Sequence, residues 1–260
     1  MRSYYFRAIL FLLSFVFVLG CKNDDDEQVV NDPFAENRKG LGSSAEEILG
    51  SDLYTRLTIE LAYSTTFEPT EIAKTNFRNF IEGLVNKPGG VNFVETPIQD
   101  QPGAPFSIEE IRNIEDDIRT QYTEGNNLAV FVFFSNGRSS NDTETTVTLG
   151  TAYRNTSMVI YETTLKALTQ SDPELLPILE STVLNHEFGH ILGLTNILGD
   201  DIHQNHEDPA AEKHCIVDNC LMYFDATNVG RSTLQRFMQR AMVPELDPLC
   251  TADIQAKGGN

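Results

Sequence analysis

The chain has 260 residues, of which 40 % are hydrophobic and 22 % are charged, so it has enough apolar residues to form a globular core. Acidic residues outnumber basic residues 38 to 19, giving a net charge of −19. This balance argues against a nucleic-acid partner, because phosphate binding needs a basic surface. Four cysteines are too few for a fold built mainly from disulfides.

The first residues predict a secretory signal peptide over residues 1–20. Arg2 and Arg7 precede an apolar run from Ala8 to Leu19, which is shorter than the roughly 17–25 residues of a spanning helix. The run ends in Val18-Leu19-Gly20-Cys21, which resembles the lipobox of bacterial lipoproteins. The resemblance implies that Cys21 is lipidated and that the lipid is the only contact with a membrane. An ordinary signal peptide with a chance cysteine is the alternative.

An acidic stretch from Lys22 to Glu27 follows the cysteine. It resembles the acidic export tag of Bacteroidetes surface lipoproteins, which implies an outer-membrane lipoprotein exposed on the cell surface. A solvated, self-repelling spacer is the alternative. We predict a lipidated acidic tether over residues 21–43 and one domain over residues 44–260.

The pattern of the body, in chain order, is strand, helix, strand, helix, strand, a strand pair and a long helix. This order predicts an α+β fold with an α/β-like N-terminal part. The predicted elements are strand Leu57–Tyr63, helix Pro69–Val85, strand Val91–Val94, helix Ser107–Tyr122, strand Leu128–Phe134, strands Thr146–Arg154 and Met158–Thr163, and a long helix that begins near Glu174 or Pro177.

The long helix contains the residues that carry chemistry, in the run His186-Glu187-Phe188-Gly189-His190. Residues four apart share a helix face, so His186 and His190 can bind one metal ion. Glu187 lies beside such an ion and can take a proton from water. The spacing predicts a catalytic zinc site, and a pair of core histidines is the alternative.

With Gly193, this run reads His-Glu-x-x-His-x-x-Gly and resembles the metzincin clan of zinc peptidases. The resemblance implies a twisted mixed sheet, an active-site helix and a smaller irregular or helical C-terminal subdomain. It also implies that Gly193 ends the helix in a left-handed turn that returns a third ligand. The usual third position holds Asn196, whose amide is a poor zinc ligand.

A second string, from His214-Cys215 to Cys220-Leu221-Met222, resembles archaemetzincins. That resemblance implies that His214 is the third zinc ligand and that Met222 forms the turn beneath the metal. It requires an insert of 18 residues, because His214 lies 28 positions after His186. His206, inside the insert, is the alternative third ligand, and His203 is a weaker rival.

Acidic residues in the insert leave a further alternative open. They could form a calcium site or a solvated acidic loop; they are Asp200, Asp201, Glu207 and Asp208.

Three cysteines remain once Cys21 is assigned to the lipid: Cys215, Cys220 and Cys250. In an exported protein we expect a disulfide between Cys250 and one of the other two. The archaemetzincin resemblance implies an alternative, a structural zinc site in which Asp253 takes the place of a fourth cysteine.

Peptidases of this clan hold the substrate as an added strand at a sheet edge. We predict that Leu149, Gly150 and Thr151 form this edge, with Gly150 allowing close approach of a peptide. An ordinary inner strand is the alternative.

Taken together, these patterns predict a monomeric zinc endopeptidase that acts on peptides or proteins with one catalytic Zn²⁺. The alternatives are an exopeptidase of the same fold, or a non-catalytic metal-containing module that binds glycan or a host protein.

Overall fold

The computed structural model describes residues 32–223, 229–230 and 242–260. The predicted signal peptide, Cys21 and the acidic tag lie outside the described residues. Contacts divide the chain into residues 1–32 and 33–260, and the fold given below is that of the second unit. No helix in the described ranges has the length and apolar character needed to cross a membrane.

A five-stranded mixed sheet forms the framework of the body, in the order β2-β1-β3-β6-β5. Strands β1, β2, β3 and β6 run parallel, and β5 pairs antiparallel with β6 at one edge. The strands of this sheet are β1 (Arg56–Tyr63), β2 (Val91–Pro97), β3 (Asn127–Phe134), β5 (Gly150–Arg154) and β6 (Ser157–Ile160). Short pairs lie outside it: β4 (Thr146–Val147) with β9 (Val229–Gly230), and β7 (Glu207–Asp208) with β8 (Ala211–Cys215).

Helices cover both faces of the sheet, which is why β1 and β3 are almost wholly buried. One face packs against α2 and α5, where the rings of Phe77 and Phe188 meet edge to face at 5.6 Å. The other face packs against α3 through Ile111. The helices in the described ranges are α1 (Ala45–Leu49), α2 (Glu71–Leu84), α3 (Ile108–Ile118), α4 (Glu162–Leu168), α5 (Leu176–Ile191) and α6 (Pro248–Ala256).

Local capping explains where two predicted helices begin. The Thr70 side chain accepts a hydrogen bond from the backbone N–H of Ala73 at the start of α2. Ser107 and Glu110 form a reciprocal capping box at the start of α3. Both helices are confirmed, and α3 ends at Ile118, a few residues before the predicted end.

The predicted boundary of the tether is wrong, because residues 33–43 belong to the folded body. Asn37 is buried, and its amide nitrogen donates to the carbonyl of Ala129 at 2.9 Å. Its side-chain oxygen accepts from the backbone N–H of Thr123 at 2.9 Å. These bonds fix the segment against β3, so a tether reaches no further than about residue 32.

The prediction of one strand over Thr146–Arg154 is also wrong in part, because this segment contains two strands that belong to different sheets. Thr146–Val147 pairs with Val229–Gly230, and only Gly150–Arg154 joins the main sheet. The following strand ends at Ile160, earlier than predicted, because the chain turns there into α4, which the sequence pattern did not indicate.

Candidate metal and catalytic site

Helix α5 carries the His-Glu-x-x-His run through the interior of the protein. All its residues from Leu179 to Ile191 are buried, so this helix is enclosed rather than amphipathic. His186 and His190, one turn apart, bring their Nε2 atoms to 3.0 Å from each other. The helix therefore presents two imidazoles at one point, as the spacing predicts.

The helix ends at the glycine that the motif singled out. Gly193 has φ +73°, a conformation that costs glycine little, and the backbone N–H of Leu194 bonds to the carbonyl of Gly189 at 3.0 Å. Lys257 donates to the Gly193 carbonyl at 3.1 Å. A cation just after α6 thus stabilises the carbonyl end of α5.

Asn196 lies in the turn after the helix, at the start of the insert, residues 196–213, which holds it there. Its backbone N–H donates to Asp201 at 2.6 Å, and Asp201 pairs with Lys257, also at 2.6 Å. The insert then folds into the β7–β8 hairpin, and the Thr195 hydroxyl bonds to the carbonyl of Lys213. This bond fixes β8 one residue before His214.

The four acidic residues proposed for calcium are each engaged by other groups of the protein. Asp200 and Asp201 pair with Lys257, Glu207 accepts from the backbone of Lys213, and Asp208 accepts from the backbone of Ala210. Among the described residues they do not form one ligand group. The structure gives no support to the calcium alternative.

Strand β8 brings His214 to the two helix histidines. One ligand atom from each of His186, His190 and His214 lies within 4.8 Å of the other two. The rings of His186 and His214 stack at 5.3 Å, and the ring of His190 is perpendicular to both. We call this group the histidine triad.

Backbone carbonyls orient two of the imidazoles. His186 Nδ1 bonds to the carbonyl of Leu221 at 3.1 Å, and His214 Nδ1 bonds to the carbonyl of Glu212 at 3.0 Å. A carbonyl only accepts, so Nδ1 carries the proton and Nε2 is the nitrogen that can bind a metal. Burial lowers the pKa of His190 well below its usual range, and His186 and His214 lower it further, which favours its neutral form.

These residues fit a zinc ion. Zinc–nitrogen bonds of 2.0–2.1 Å at tetrahedral angles place two ligand nitrogens about 3.3 Å apart, close to the 3.0 Å between His186 and His190. Three protein ligands and an open fourth position are typical of a catalytic zinc.

Glu187 lies beside the triad and against the edge strand. It is 1 % exposed, and its Oε2 accepts the backbone N–H of Ala152 at 2.7 Å. The space beside Gly150 is filled by Glu187 and Val183, since a Cβ there would lie 2.8 Å from Glu187 Cγ. The expectation that Gly150 makes room for a peptide on this side is therefore wrong.

Thr151 and Leu149, the other two residues predicted to form the substrate-binding edge, lie in different environments. Thr151 lies in β5, which is an edge strand as predicted. Leu149 precedes β5 and is fully buried in the core, with its carbonyl bonded to the backbone N–H of Tyr161.

Met222 lies beneath the motif, in a 3-10 turn from Leu221 to Tyr223. A Cβ on Gly189 would meet the Met222 sulfur at 2.5 Å. The role of Gly189 was not predicted, although a glycine inside a helix motif is the signal that could have indicated it.

A second cluster of possible ligands lies next to the triad, and we call it the thiolate cluster. It contains Cys215, Cys220, Cys250 and His206. His206 Nδ1 is 3.5 Å from the Cys215 sulfur and 3.8 Å from the Cys250 sulfur. His206 thus belongs to this cluster and not to the triad, which corrects the alternative third ligand.

The expected disulfide is not formed in the described residues, where all three cysteines are free. The sulfurs of Cys220 and Cys250 are 3.6 Å apart, well beyond an S–S bond of about 2.05 Å. Backbone N–H groups of Met222 and Asp247 each donate to the Cys220 sulfur at 3.4 Å. Hydrogen bonds from Cys215 and Cys250 lower the pKa of Cys220, which favours its thiolate form.

Asp253 does not occupy the fourth ligand position that the sequence analysis gave it. Its carboxylate lies on the far side of His206, with Oδ2 bonded to Nε2 at 3.0 Å, and its Oδ1 bonds to His203 at 3.2 Å. Asp247 is a further neighbour, since its Oδ2 accepts from Cys215 at 3.0 Å. Its other oxygen caps α6, but one carboxylate oxygen of Asp247 lies within 4.8 Å of ligand atoms of His206, Cys215 and Cys250, so Asp247 is also a possible ligand.

No protein-family model matches the sequence, and no curated protein matches it. Among solved structures, the crystal structure of archaemetzincin from Methanopyrus kandleri is similar to this chain. The two are 15 % identical, the match covers 79 % of this chain and 96 % of that one, and the TM-score is 0.48. So distant a similarity does not assign a function.

Proposed function

We propose that the protein is a zinc-dependent endopeptidase. The observation that carries the proposal is the convergence of His186, His190 and His214 next to Glu187. Histidines alone would suffice to hold a metal. A buried carboxylate beside them, held in place by the edge strand, is what hydrolysis requires in addition.

The roles follow from the geometry. When bound by the triad, zinc supplies a Lewis acid that polarises a carbonyl and makes water more acidic. Glu187 takes the proton of the attacking water on its carboxylate and passes it to the leaving amine. The Leu221 and Glu212 carbonyls keep His186 and His214 in the tautomer that binds metal. The edge of β5 offers backbone groups to which a peptide substrate can pair.

We also propose that the thiolate cluster holds a second, structural zinc through Cys215, Cys220, Cys250 and His206. A closed set of four ligands rich in cysteine is typical of structural zinc. The N–H···S bonds to Cys220 support its thiolate form, and Asp253 orients His206 from behind. The cluster joins the insert, β8, the turn of Met222 and α6.

A peptide library with blocked termini tests the activity. Glu187→Ala is expected to lower kcat/KM by about 10²–10⁴-fold at unchanged zinc content. The matched control is Glu174→Ala, which removes an exposed glutamate just before α5. Internal cuts by the wild type alone support an endopeptidase. Trimming of unblocked termini only would mean an exopeptidase, and equal product from wild type and Glu187→Ala would leave a non-catalytic binding module.

We further propose that the chain is an outer-membrane lipoprotein exposed on the cell surface. The lipobox-like sequence before Cys21 and the acidic run after it support this. Metabolic labelling with a fatty acid should label the wild type and not Cys21→Ser. Protease treatment of intact cells should remove the wild type, and protection of the protein would contradict surface exposure.

A further inference from the structure

We infer that strand β5 positions Glu187, through the backbone N–H of Ala152 and the missing side chain of Gly150. The inference rests on the proposed function, in which Glu187 is the general base. Both residues act through Glu187, so they are positioning residues. Neither is part of the His-Glu-x-x-His run.

The first support is the direction of the Ala152 N–H. Among the described residues, strand β5 pairs with β6 on one side only, and Ala152 lies opposite Met158 in this pair. The backbone N–H of Tyr161 donates to the carbonyl of Leu149, and this bond identifies the residues of the strand whose backbone groups face β6. In an antiparallel pair, every second residue turns its N–H away from the partner strand, which places the N–H of Ala152 on the open edge.

The second support is what that N–H contacts. It donates to Glu187 Oε2 at 2.7 Å, joining residues 35 positions apart. A hydrogen bond to an ionised acceptor is roughly twice as strong as a neutral one. Since Glu187 is almost fully buried, this bond holds the carboxylate where water exerts little screening. A peptide that pairs with the edge must use other backbone groups, because this N–H is already bonded.

The third support is the space at Gly150. A Cβ at this position would lie 2.7 Å from Val183 Cγ1, 2.8 Å from Glu187 Cγ and 3.0 Å from Glu187 Oε1. These atoms belong to α5, which is closely packed, so it cannot move away from position 150 without losing packing contacts. A side chain at position 150 therefore displaces the carboxylate from its bond with Ala152.

Ala152→Pro tests the bond itself. Proline removes the N–H, and because that N–H faces the open edge, the ladder with β6 stays intact. We expect kcat to fall about 10- to 100-fold, with KM within threefold of wild type and zinc content unchanged. Ala152→Ser keeps the N–H and is the matched variant. It is expected to retain at least tenfold more kcat than Ala152→Pro.

A double-mutant cycle tests the contact without using activity. Ala152→Pro should lower the urea midpoint more in the wild type than in Glu187→Ala, where the acceptor is already missing. If proline prevents folding, Gly150→Ala takes its place, with the same unequal effect expected in the two backgrounds.

Three outcomes separate the possibilities. An equal midpoint shift in both backgrounds would overturn the contact and with it the inference. An unequal shift combined with wild-type kcat in the proline variant would overturn the positioning role. An unequal shift in a protein that cleaves no peptide better than Glu187→Ala would support the contact and reject the proposed function.

Discussion

His214 and Cys215 are consecutive residues of β8, and their side chains belong to different ligand groups. Alternate residues of a strand point to opposite faces, so one side chain enters the histidine triad and the other enters the thiolate cluster. A second pair of consecutive residues shows the same relation, at the start of the turn that contains Met222. Cys220 belongs to the thiolate cluster, and the carbonyl of the next residue, Leu221, orients His186. The two groups are therefore built on shared backbone.

This shared backbone predicts that damage to the thiolate cluster weakens the triad. Cys250→Ser leaves the triad residues intact but loosens β8 and the turn of Met222. We expect zinc affinity at the triad to fall about 10- to 100-fold, the size of effects from groups that orient metal ligands. Co²⁺ titration measures this, because thiolate and imidazole sites absorb differently. Ile216→Ser, which alters an exposed neighbour of Cys215, is the control. Equal triad affinity in Cys250→Ser and wild type would show that the sites are independent.

Separate histidine substitutions should remove separate ions. His214→Ala is expected to abolish peptidase activity and leave one zinc per chain, in the thiolate cluster. His206→Ala should weaken zinc binding in the thiolate cluster and leave the zinc ion of the histidine triad in place. His203→Ala, which alters a partly exposed histidine, should retain both ions. Zinc counted by mass spectrometry after dialysis decides this, and loss of the same ion from His214→Ala and His206→Ala would contradict two distinct sites.

Local patterns predicted the parts of the site that lie close in sequence. The four-residue spacing of His186 and His190 determines their shared face, and Gly193 is the residue that helix endings favour. The apolar run that became β3 was equally clear. Each of these features depends on contacts between residues a few positions apart, and such contacts leave a regular pattern in the sequence.

Long-range contacts were beyond such patterns. Asn37 bonds to residues 86 or more positions away, so its segment read as part of a polar tether. The cysteine spacing suggested a metal site with Asp253 as the fourth ligand, but it could not indicate His206, which reaches Cys250 across 44 positions. Likewise, the space beside Gly150 belongs to Glu187 only because α5 packs on the edge of the sheet.

We predict that Gly189 is needed for the Met222 side chain to pack against α5. In Gly189→Ala, the new methyl would meet the Met222 sulfur at 2.5 Å. Overpacking of this kind typically costs about 1–3 kcal/mol, and helix propensity alone would favour alanine by about 1 kcal/mol. Urea unfolding should therefore show a net loss of stability in Gly189→Ala, and a smaller loss when the same substitution is made in a Met222→Ala background. A more stable single variant would contradict the contact.

Stability should depend on pH through the buried carboxyl pair Glu162 and Glu180, which joins α4 to α5. Burial raises the pKa of Glu162 well above its usual range and raises that of Glu180 as well, and Glu180 raises the pKa of Glu162 further. Lys166, 3.5 Å from Glu162, opposes this shift, and Thr70 bonds to Glu180 and lowers its pKa.

The sign of the effect follows from proton binding. In the unfolded chain a glutamate has a pKa of about 4.3, so above that pH the folded state binds a proton that the unfolded state has released. The free energy of unfolding should then fall as pH rises from about 4.3 through the raised pKa of Glu162. Glu162→Gln keeps the side chain neutral and should flatten that part of the profile, whereas Glu174→Gln, at an exposed position, should not. Urea unfolding between pH 5 and 8 in excess zinc measures the difference between each variant and the wild type. A Glu162→Gln profile parallel to that of the wild type would mean that Glu162 is ionised in the folded protein, held by Lys166 against the cost of burial.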